Sequence, residues 1–405
     1  MPRFFNEGVS DVEGDLETVD FGTDISLSDH ENLEMLLNAM QRIQHPGLDE
    51  FGTVNQFLDM KARKKGVPIR GMFELTPLCN LDCKMCYVHL SKEQLGKRRL
   101  LSTEEWKHLM KQAIDAGMMD AMLTGGECLT YPGFDELYLF LHAHGIRTGI
   151  LTNGLLLTEE RLEFFRKHPP KGFQITLYGS SDEEYERVTG VRCFEQIMQN
   201  IQRLRTYKFP VYIAITPNRF MLDNGEQLLR LVHHMGVSYS INTTLFTPRE
   251  ETGRSETAID MELDSYIQLQ VLRRKLSGYD VIPHEGCILP QPSGAGRVTK
   301  GLMCSGGSSS FFISWDGRLL PCGSFTDCQA YPLQIGFDQA WQRVRTVCKE
   351  YLLPQECGDC VYNVACPACV MVHAQDCEPG HASPRICARA RKQVEAGLVK
   401  LDETI

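Results

Sequence analysis

Short apolar runs and amphipathic stretches alternate six times between residues 71 and 276. The runs begin near Met72, Met119, Arg147, Phe173, Val211 and Tyr239, and each has the length of one buried strand. Between them, residues 104–116, 134–144, 159–167, 194–207 and 226–235 repeat apolar positions at helical spacing. Gly117, Gly145 and Gly236 each follow a last helical residue and precede a strand, where a left-handed glycine closes a helix without steric strain. Ser102 with Glu105, and Ser181 with Glu184, are spaced as capping boxes. Six β-α units in a row predict an α/β fold with parallel strands and helices outside. Six are too few for a closed eight-stranded barrel.

The flanks follow other patterns. Residues 1–70 form a preface, acidic in its first half, with helical spacing of Leu33, Leu36, Leu37, Met40 and Ile43; helices packed on the barrel behind a mobile acidic start are expected. Residues 277–303 read as a connector rich in Gly and Pro, residues 304–392 as a cysteine-rich end piece, and residues 393–405 as a tail. Within the end piece, Asp316-Gly317 between two apolar runs predicts a hairpin.

Composition narrows the class. Of 405 residues, 42% are hydrophobic and 23% charged, as in an ordinary globular protein. A formal charge of −10 argues against a nucleic-acid partner gripped through phosphates. No run approaches the ~18–20 apolar residues of a membrane span, and the first residues hold no apolar signal core. Sixteen cysteines without an export signal, many at metal-like spacings, favour cluster ligation over disulfides, and so a reducing cytoplasm.

Cys79, Cys83 and Cys86 form a C-x3-C-x2-C triplet directly after the strand-like run 72–76. Three thiolates in one loop hold three irons of a [4Fe–4S] cubane and leave the fourth open to a cofactor. Zinc, the alternative, usually takes four ligands, often as two C-x2-C pairs. Gly125-Gly126-Glu127 ends the next strand, and two glycines there allow close backbone approach. Together with Tyr87, this arrangement resembles the radical S-adenosylmethionine (SAM) superfamily. The resemblance implies a partial (β/α)6 TIM-like barrel with its site at the C-terminal strand ends. It implies that the open iron chelates SAM and that a cluster electron cleaves SAM to methionine and a 5′-deoxyadenosyl radical. By the same resemblance, Gly125, Gly126 and Glu127 meet the methionine moiety, Tyr87 lies in the cofactor site, Thr176 and Ser180 lie near the ribose, and Asn218 lies near the adenine or ribose. Cys128 stands where the family usually has proline. It reads either as a small buried turn residue or as a thiol able to donate a hydrogen atom beside the radical.

The end piece is similar to the SPASM domain, an auxiliary iron–sulfur domain of radical SAM enzymes. Cys304, Gly317-x4-Cys322, Cys357-x2-Cys360-x5-Cys366, Cys369 and Cys387 follow its pattern, with two residues rather than three before Cys369. That departure leaves Cys377 as an alternative to Cys369. The resemblance implies two auxiliary [4Fe–4S] clusters, one on Cys304, Cys322 and Cys369 and one on Cys357, Cys360, Cys366 and Cys387. Cys287 is a candidate to complete the first. Zinc is the competing reading for the C-x2-C pair. Cys193, Cys328 and Cys348 read as core or surface thiols, and His284 and His373 as possible neighbours of an auxiliary cluster. The implied activity is hydrogen abstraction from a peptide, with oxidative crosslinking of a ribosomally made precursor, fed by a donor such as flavodoxin or ferredoxin. The alternatives are a sulfatase-type maturase, a dehydrogenase of small aminocyclitol-like molecules and a non-catalytic electron carrier. The sulfatase branch carries a carboxylate directly after the G-x4-C cysteine, where this chain has Gly323.

Overall fold

A computed structural model describes residues 50–221, 225–242, 245–246, 248–249, 252–253, 260–277, 300–302, 304–357, 360–362, 365–366 and 369–399. The expected 32–44 helix, most of the connector and Cys287 lie outside the described residues.

Helix α1 (Glu50–Lys65) precedes the first strand, β1 (Arg70–Glu74). Then follow α2 (Thr103–Asp115), β2 (Asp120–Thr124), α3 (Phe134–Ala143), β3 (Arg147–Thr152), α4 (Glu159–Lys167) and β4 (Gly172–Leu177). Two helices, α5 (Asp182–Thr189) and α6 (Phe194–Thr206), lead to β5 (Val211–Ile215), α7 (Gly225–His234), β6 (Ser238–Ile241) and α8 (Leu263–Ser277). The first six strands pair in parallel in chain order, which gives the expected (β/α)6 partial barrel. All five residues of β2 are buried, as befits a strand covered on both faces.

The helices bury one stripe against this sheet. Helix α2 buries Trp106, Leu109, Met110 and Ala113, spaced three and four apart, and Trp106 meets Phe73 of β1 edge-on at 6.2 Å between centroids. Ser102 caps it with the full reciprocal box to Glu105. At α5 only half of the expected box forms. The Ser181 side chain accepts from the Glu184 N–H, while the Glu184 carboxylate turns to the backbone N–H of Ser180 at 2.5 Å. Gly117, Gly145 and Gly236 all take positive φ, as the helix ends require.

The expected hairpin forms between β7 (Ser310–Ile313) and β8 (Leu319–Leu320), with Gly317 at φ +86°. It does not stand apart from the barrel. Strand β7 pairs in parallel with β1, Arg70 opposite Ser310 through Phe73 opposite Ile313, so one sheet of order β6-β5-β4-β3-β2-β1-β7-β8 runs through both regions. Helix α9 (Phe337–Glu350) packs on this extension through Phe337 and Trp341 against Phe311. The last long helix is α10 (Pro384–Glu395).

The N-terminal strand ends carry a belt of charge. Asp120 accepts from Arg147 at 2.6 Å and from Lys171 at 3.4 Å. Asp59 of α1 binds Arg70 at 2.6 Å, Arg63 at 2.8 Å and the Ser309 hydroxyl at 2.8 Å. One buried carboxylate thus fastens α1 to β1 and to the residue before β7. Replacing it takes a carboxylate partner from the buried Arg70, and loss of one partner from a buried pair costs about 3–5 kcal/mol. Asp59→Ala is therefore expected to lower the unfolding midpoint in a denaturant titration, with no change in the spectrum of the folded protein at low denaturant.

Candidate cluster and cofactor site

The opposite strand ends, Glu74, Thr124, Thr152, Leu177 and Ile215, converge with the loops that carry the motifs. The β1–β2 ladder does not stop at the strand ends. Leu75 N–H donates to the Thr124 carbonyl at 2.8 Å, Gly126 N–H to Thr76 at 2.7 Å and Glu127 N–H to Leu78 at 3.0 Å. The turn therefore lies flat against the segment that enters the cysteine loop. A Cβ on Gly125 would stand 2.7 Å from the Thr76 carbonyl oxygen, and one on Gly126 2.4 Å from that of Leu78. Neither glycine has positive φ. Space, not backbone freedom, demands glycine here.

The cysteine loop is held at further points. Asp82 and Lys84 donate backbone N–H groups to Thr189 and Val188 at the end of α5, at 2.9 and 3.0 Å, and Leu90 donates to Pro77 at 3.1 Å. Cys83 is buried, whereas Cys79 and Cys86 are partly open. Leu81 N–H points at the Cys79 sulfur at 3.4 Å and His89 N–H at the Cys86 sulfur at 3.3 Å. Asn153 of the β3 end adds its amide to Cys79 at 3.8 Å. Such donors favour sulfur carrying negative charge and tune a cluster bound there. Burial pushes the Cys79 thiol up to about 12. A metal reverses that preference, because coordination deprotonates a thiol. Tyr178 neighbours all three sulfurs, and burial together with those sulfurs holds its hydroxyl well above the usual range. Sequence spacing did not single it out, although it lies between Thr176 and Ser180.

The donor chemistry and this glycine-lined turn fit a cubane on Cys79, Cys83 and Cys86 with SAM beside it. Among the described residues, no three His, Cys, Asp or Glu side chains converge enough to hold a single metal ion. A cubane differs in its demand, since each thiolate takes a separate iron.

Glu127 is buried, and its carboxylate accepts from the Thr152 hydroxyl at 2.9 Å, from Asn153 N–H at 2.8 Å and from Leu129 N–H at 3.0 Å. It fixes the β3 end against the β2 turn. Burial raises its pKa, against those hydrogen bonds. Cys128 is wholly buried and donates to the Leu151 carbonyl at 3.2 Å, with burial pushing its thiol well up. Its burial accords with the first of the two readings, a small buried turn residue. Asn218 is also wholly buried, donating to Tyr178 at 2.8 Å and accepting from Phe220 N–H at 3.0 Å. The Ser180 hydroxyl turns to Glu184 at 3.2 Å. Both polar groups hold loops. Thr176, in β4, is half-buried.

Tyr87 links the cysteine loop to the hairpin. Its ring meets Phe246 edge-on at 6.2 Å and lies under the Arg249 guanidinium at 5.8 Å. Arg249 grips Glu74 bidentately at 2.9 and 3.0 Å, and Glu74 accepts the Trp315 N–H at 3.3 Å. Both charges are buried. A Cβ on Gly323 would stand 3.1 Å from Phe312 and 3.4 Å from the Tyr87 ring. The residue after Cys322 thus packs on the residue after Cys86. Arg249 lies in a stretch without periodicity, and nothing in its sequence marks it.

The C-terminal thiols fall into groups. Cys357 neighbours Cys360, Cys366 and Cys387, and burial pushes it up to about 12. Cys322 neighbours Cys369, and burial pushes it up to about 11. Cys377 neighbours Cys387. His373 is buried, with Nδ1 accepting from Ser383 N–H at 3.0 Å, so its proton sits on Nε2, which faces the Cys366 sulfur at 3.9 Å.

Residues 73–233 match the family model described as the radical SAM superfamily. The chain is 27% identical over 318 residues to the AdoMet-dependent heme synthase of Methanosarcina barkeri, covering 73% of this chain and 89% of that protein. It is 27% identical over 259 residues to the sporulation killing factor maturation protein SkfB of Bacillus subtilis, covering 63% and 60%. Its fold is similar to that of Streptococcus suis SuiB, solved bound to its precursor peptide SuiA, with a TM-score of 0.58 at 16% identity over 88% of each chain. Residues 73–233 therefore carry a domain of the radical SAM superfamily.

Proposed function

We propose that the protein is a peptide maturase that cleaves SAM reductively and oxidises a ribosomally made precursor peptide to a crosslinked product. The observation that carries the reading is the sorting of its thiols: one triplet at the barrel mouth and two groups in the end piece. Cys79, Cys83 and Cys86 hold the SAM-binding cluster. When bound, the cluster and SAM supply the electron and the carbon radical that abstracts hydrogen. Gly125 and Gly126 set the cysteine loop against the β2 turn, and Glu127 fixes that turn to the β3 end, beside the methionine moiety. Thr176, Ser180, Asn218 and Tyr87 line the region assigned to the nucleoside, with Ser180 and Asn218 acting through the loops they hold. Cys304, Cys322 and Cys369 belong to one auxiliary cluster, and Cys357, Cys360, Cys366 and Cys387 to the other. Residues 71–276 form the radical SAM barrel and 304–392 the auxiliary domain, joined through the β1–β7 pairing.

The likeness to SkfB supports a peptide substrate. A side chain at Gly323 would crowd the Phe312 and Tyr87 rings, a Cβ standing 3.1 and 3.4 Å from them, which weighs against the sulfatase-type branch. A tetrapyrrole substrate is the second reading, favoured by the longer match to the heme synthase. No described helix is long and apolar enough to cross a membrane, and a cytoplasmic enzyme drawing electrons from a flavodoxin or ferredoxin suits a chain whose described cysteines are free thiols. The deciding experiment feeds the reduced enzyme the short peptides encoded beside its gene. A mass loss of about two hydrogens is the expected product signature. Turnover of a tetrapyrrole, with every such peptide unchanged, would transfer the protein to the second reading.

Two variants test the cofactor site. Changing Cys79, Cys83 and Cys86 together to Ala is expected to remove about a third of the iron bound after anaerobic reconstitution, and all SAM cleavage. Retention of cleavage would show that the cluster lies elsewhere. Gly126→Ala forces a Cβ into the Leu78 carbonyl and is expected to displace the loop. Iron at the first cluster and SAM affinity should fall together, by at least tenfold in affinity, or about 1.4 kcal/mol. Unchanged affinity by equilibrium dialysis would refute this account of the turn.

A further inference from the structure

We propose that Cys348 supplies the fourth sulfur of the auxiliary cluster of Cys304, Cys322 and Cys369, with Cys328 packed behind it. The proposal rests on the cluster reading above and gives a role to two thiols which that reading leaves unused. Cys348 sits in the last turn of α9 and is 3% exposed. Its carbonyl accepts the Leu302 N–H at 3.1 Å, which pins the helix end two residues before Cys304.

The sulfurs share one neighbourhood. A Cβ on Gly307 would stand 2.3 Å from the Cys348 sulfur, and one on Gly306 3.4 Å from the Cys304 sulfur. Gly307 therefore makes room for the Cys348 sulfur, in the left-handed conformation at φ +68°, while a Cβ on Gly306 would meet the Cys304 sulfur only at van der Waals contact. Cys322 and Cys304 both lie within electrostatic reach of Cys348. Phe325, whose N–H donates to the Cys322 carbonyl at 3.3 Å, packs edge-on against Tyr351 at 5.1 Å. Tyr351 is three residues beyond Cys348 and neighbours Cys369, the residue that Cys322 also faces. Four separate segments thus bring one cysteine each to the same place: the loop before β7, the end of β8, the end of α9 and the end piece.

Cys328 completes the arrangement from the core side. Its thiol is 4% exposed, neighbours the Cys348 thiol and donates to the Val344 carbonyl at 3.8 Å, one turn back on α9. A hydrogen bond to a coordinated sulfur is one of the levers that set a cluster's potential. In this arrangement Cys348 binds iron, and the Cys328 S–H turns from the Val344 carbonyl to that sulfur. The first auxiliary cluster is then fully ligated, and the substrate does not need to fill it.

The test uses the full chain with Cys79, Cys83 and Cys86 changed to Ala, so that only auxiliary clusters assemble on anaerobic reconstitution. Cys348→Ala in that background is expected to leave one cluster on three cysteines, with an altered EPR signal and up to one iron fewer. Added 2-mercaptoethanol should restore part of the signal by occupying the vacated iron. Cys328→Ala should keep its iron and shift the signal and potential. Cys287→Ala should match the parent. If Cys348→Ala does not fold by circular dichroism, Cys348→Ser replaces it. Serine keeps the size with a harder ligand, and a shifted signal is expected. Full iron with an unaltered spectrum in the Cys348 variant overturns the proposal, as does loss of the cluster in Cys287→Ala. A parent that binds no auxiliary iron overturns the cluster reading itself, an outcome distinct from either.

Discussion

The site depends on a close contact between two stretches of backbone. The end of β1 runs on into the cysteine loop, the end of β2 runs on into Gly125-Gly126-Glu127, and the ladder between them continues through Gly126 and Glu127 to Thr76 and Leu78. Only glycine allows the approach. The rigidity of a parallel sheet is thereby passed to a loop whose own sequence, Cys79 to Cys86, has no regular structure. A second anchor at α5 holds the far side of the loop. In the proposed role the three cysteines meet a cluster at fixed corners and would need such support, because displacement by even an ångström is costly where geometry carries the chemistry.

A second constraint ties the two halves together. Glu74 at the tip of β1, Arg249 from the segment after β6, Tyr87 after the cysteine loop and Trp315 in the hairpin turn form one buried group. A buried ion pair adds little net stability, since desolvation offsets most of its attraction. Its value here is orientation. It sets the register of the hairpin against the barrel at the place where Tyr87 touches Gly323, beside Cys322. The first and the auxiliary cysteine sites are therefore held at a defined separation by side chains, as well as by the β1–β7 ladder.

Much of this was legible in the sequence, for a physical reason. Strands buried on both faces must be apolar throughout, so the starts expected near Met72, Arg147, Phe173 and Val211 fall within two residues of those observed. Helix ends marked by Gly117, Gly145 and Gly236 were equally readable, because left-handed backbone selects glycine. What escaped was non-local. Pairing of β7 with β1 joins residues about 240 apart in the chain, and no local pattern encodes it. Glu127 was expected to serve the cofactor from its place in the motif, yet its oxygens go to Thr152, Asn153 and Leu129. Spacing identifies a motif without saying which neighbour each polar atom meets. Cys348 fell outside every spacing rule, and only the folding of α9 brings it near Cys304.

The energetics of the thiols follow from the same architecture. Burial keeps Cys79, Cys322 and Cys357 protonated across the neutral range, with values of about 12, 11 and 12. An empty site would otherwise concentrate several negative charges in a medium that solvates them poorly, at a cost of several kcal/mol per ion. Neutral thiols avoid that cost, and the N–H groups of Leu81 and His89 already point at sulfur. Bound iron would reverse the balance: its charge would displace the protons, and the N–H groups of Leu81 and His89 would then meet thiolate. The scaffold is thus tolerable empty and complementary to a cluster when filled, and both properties come from placing the cysteines on buried loops at the ends of an otherwise apolar sheet.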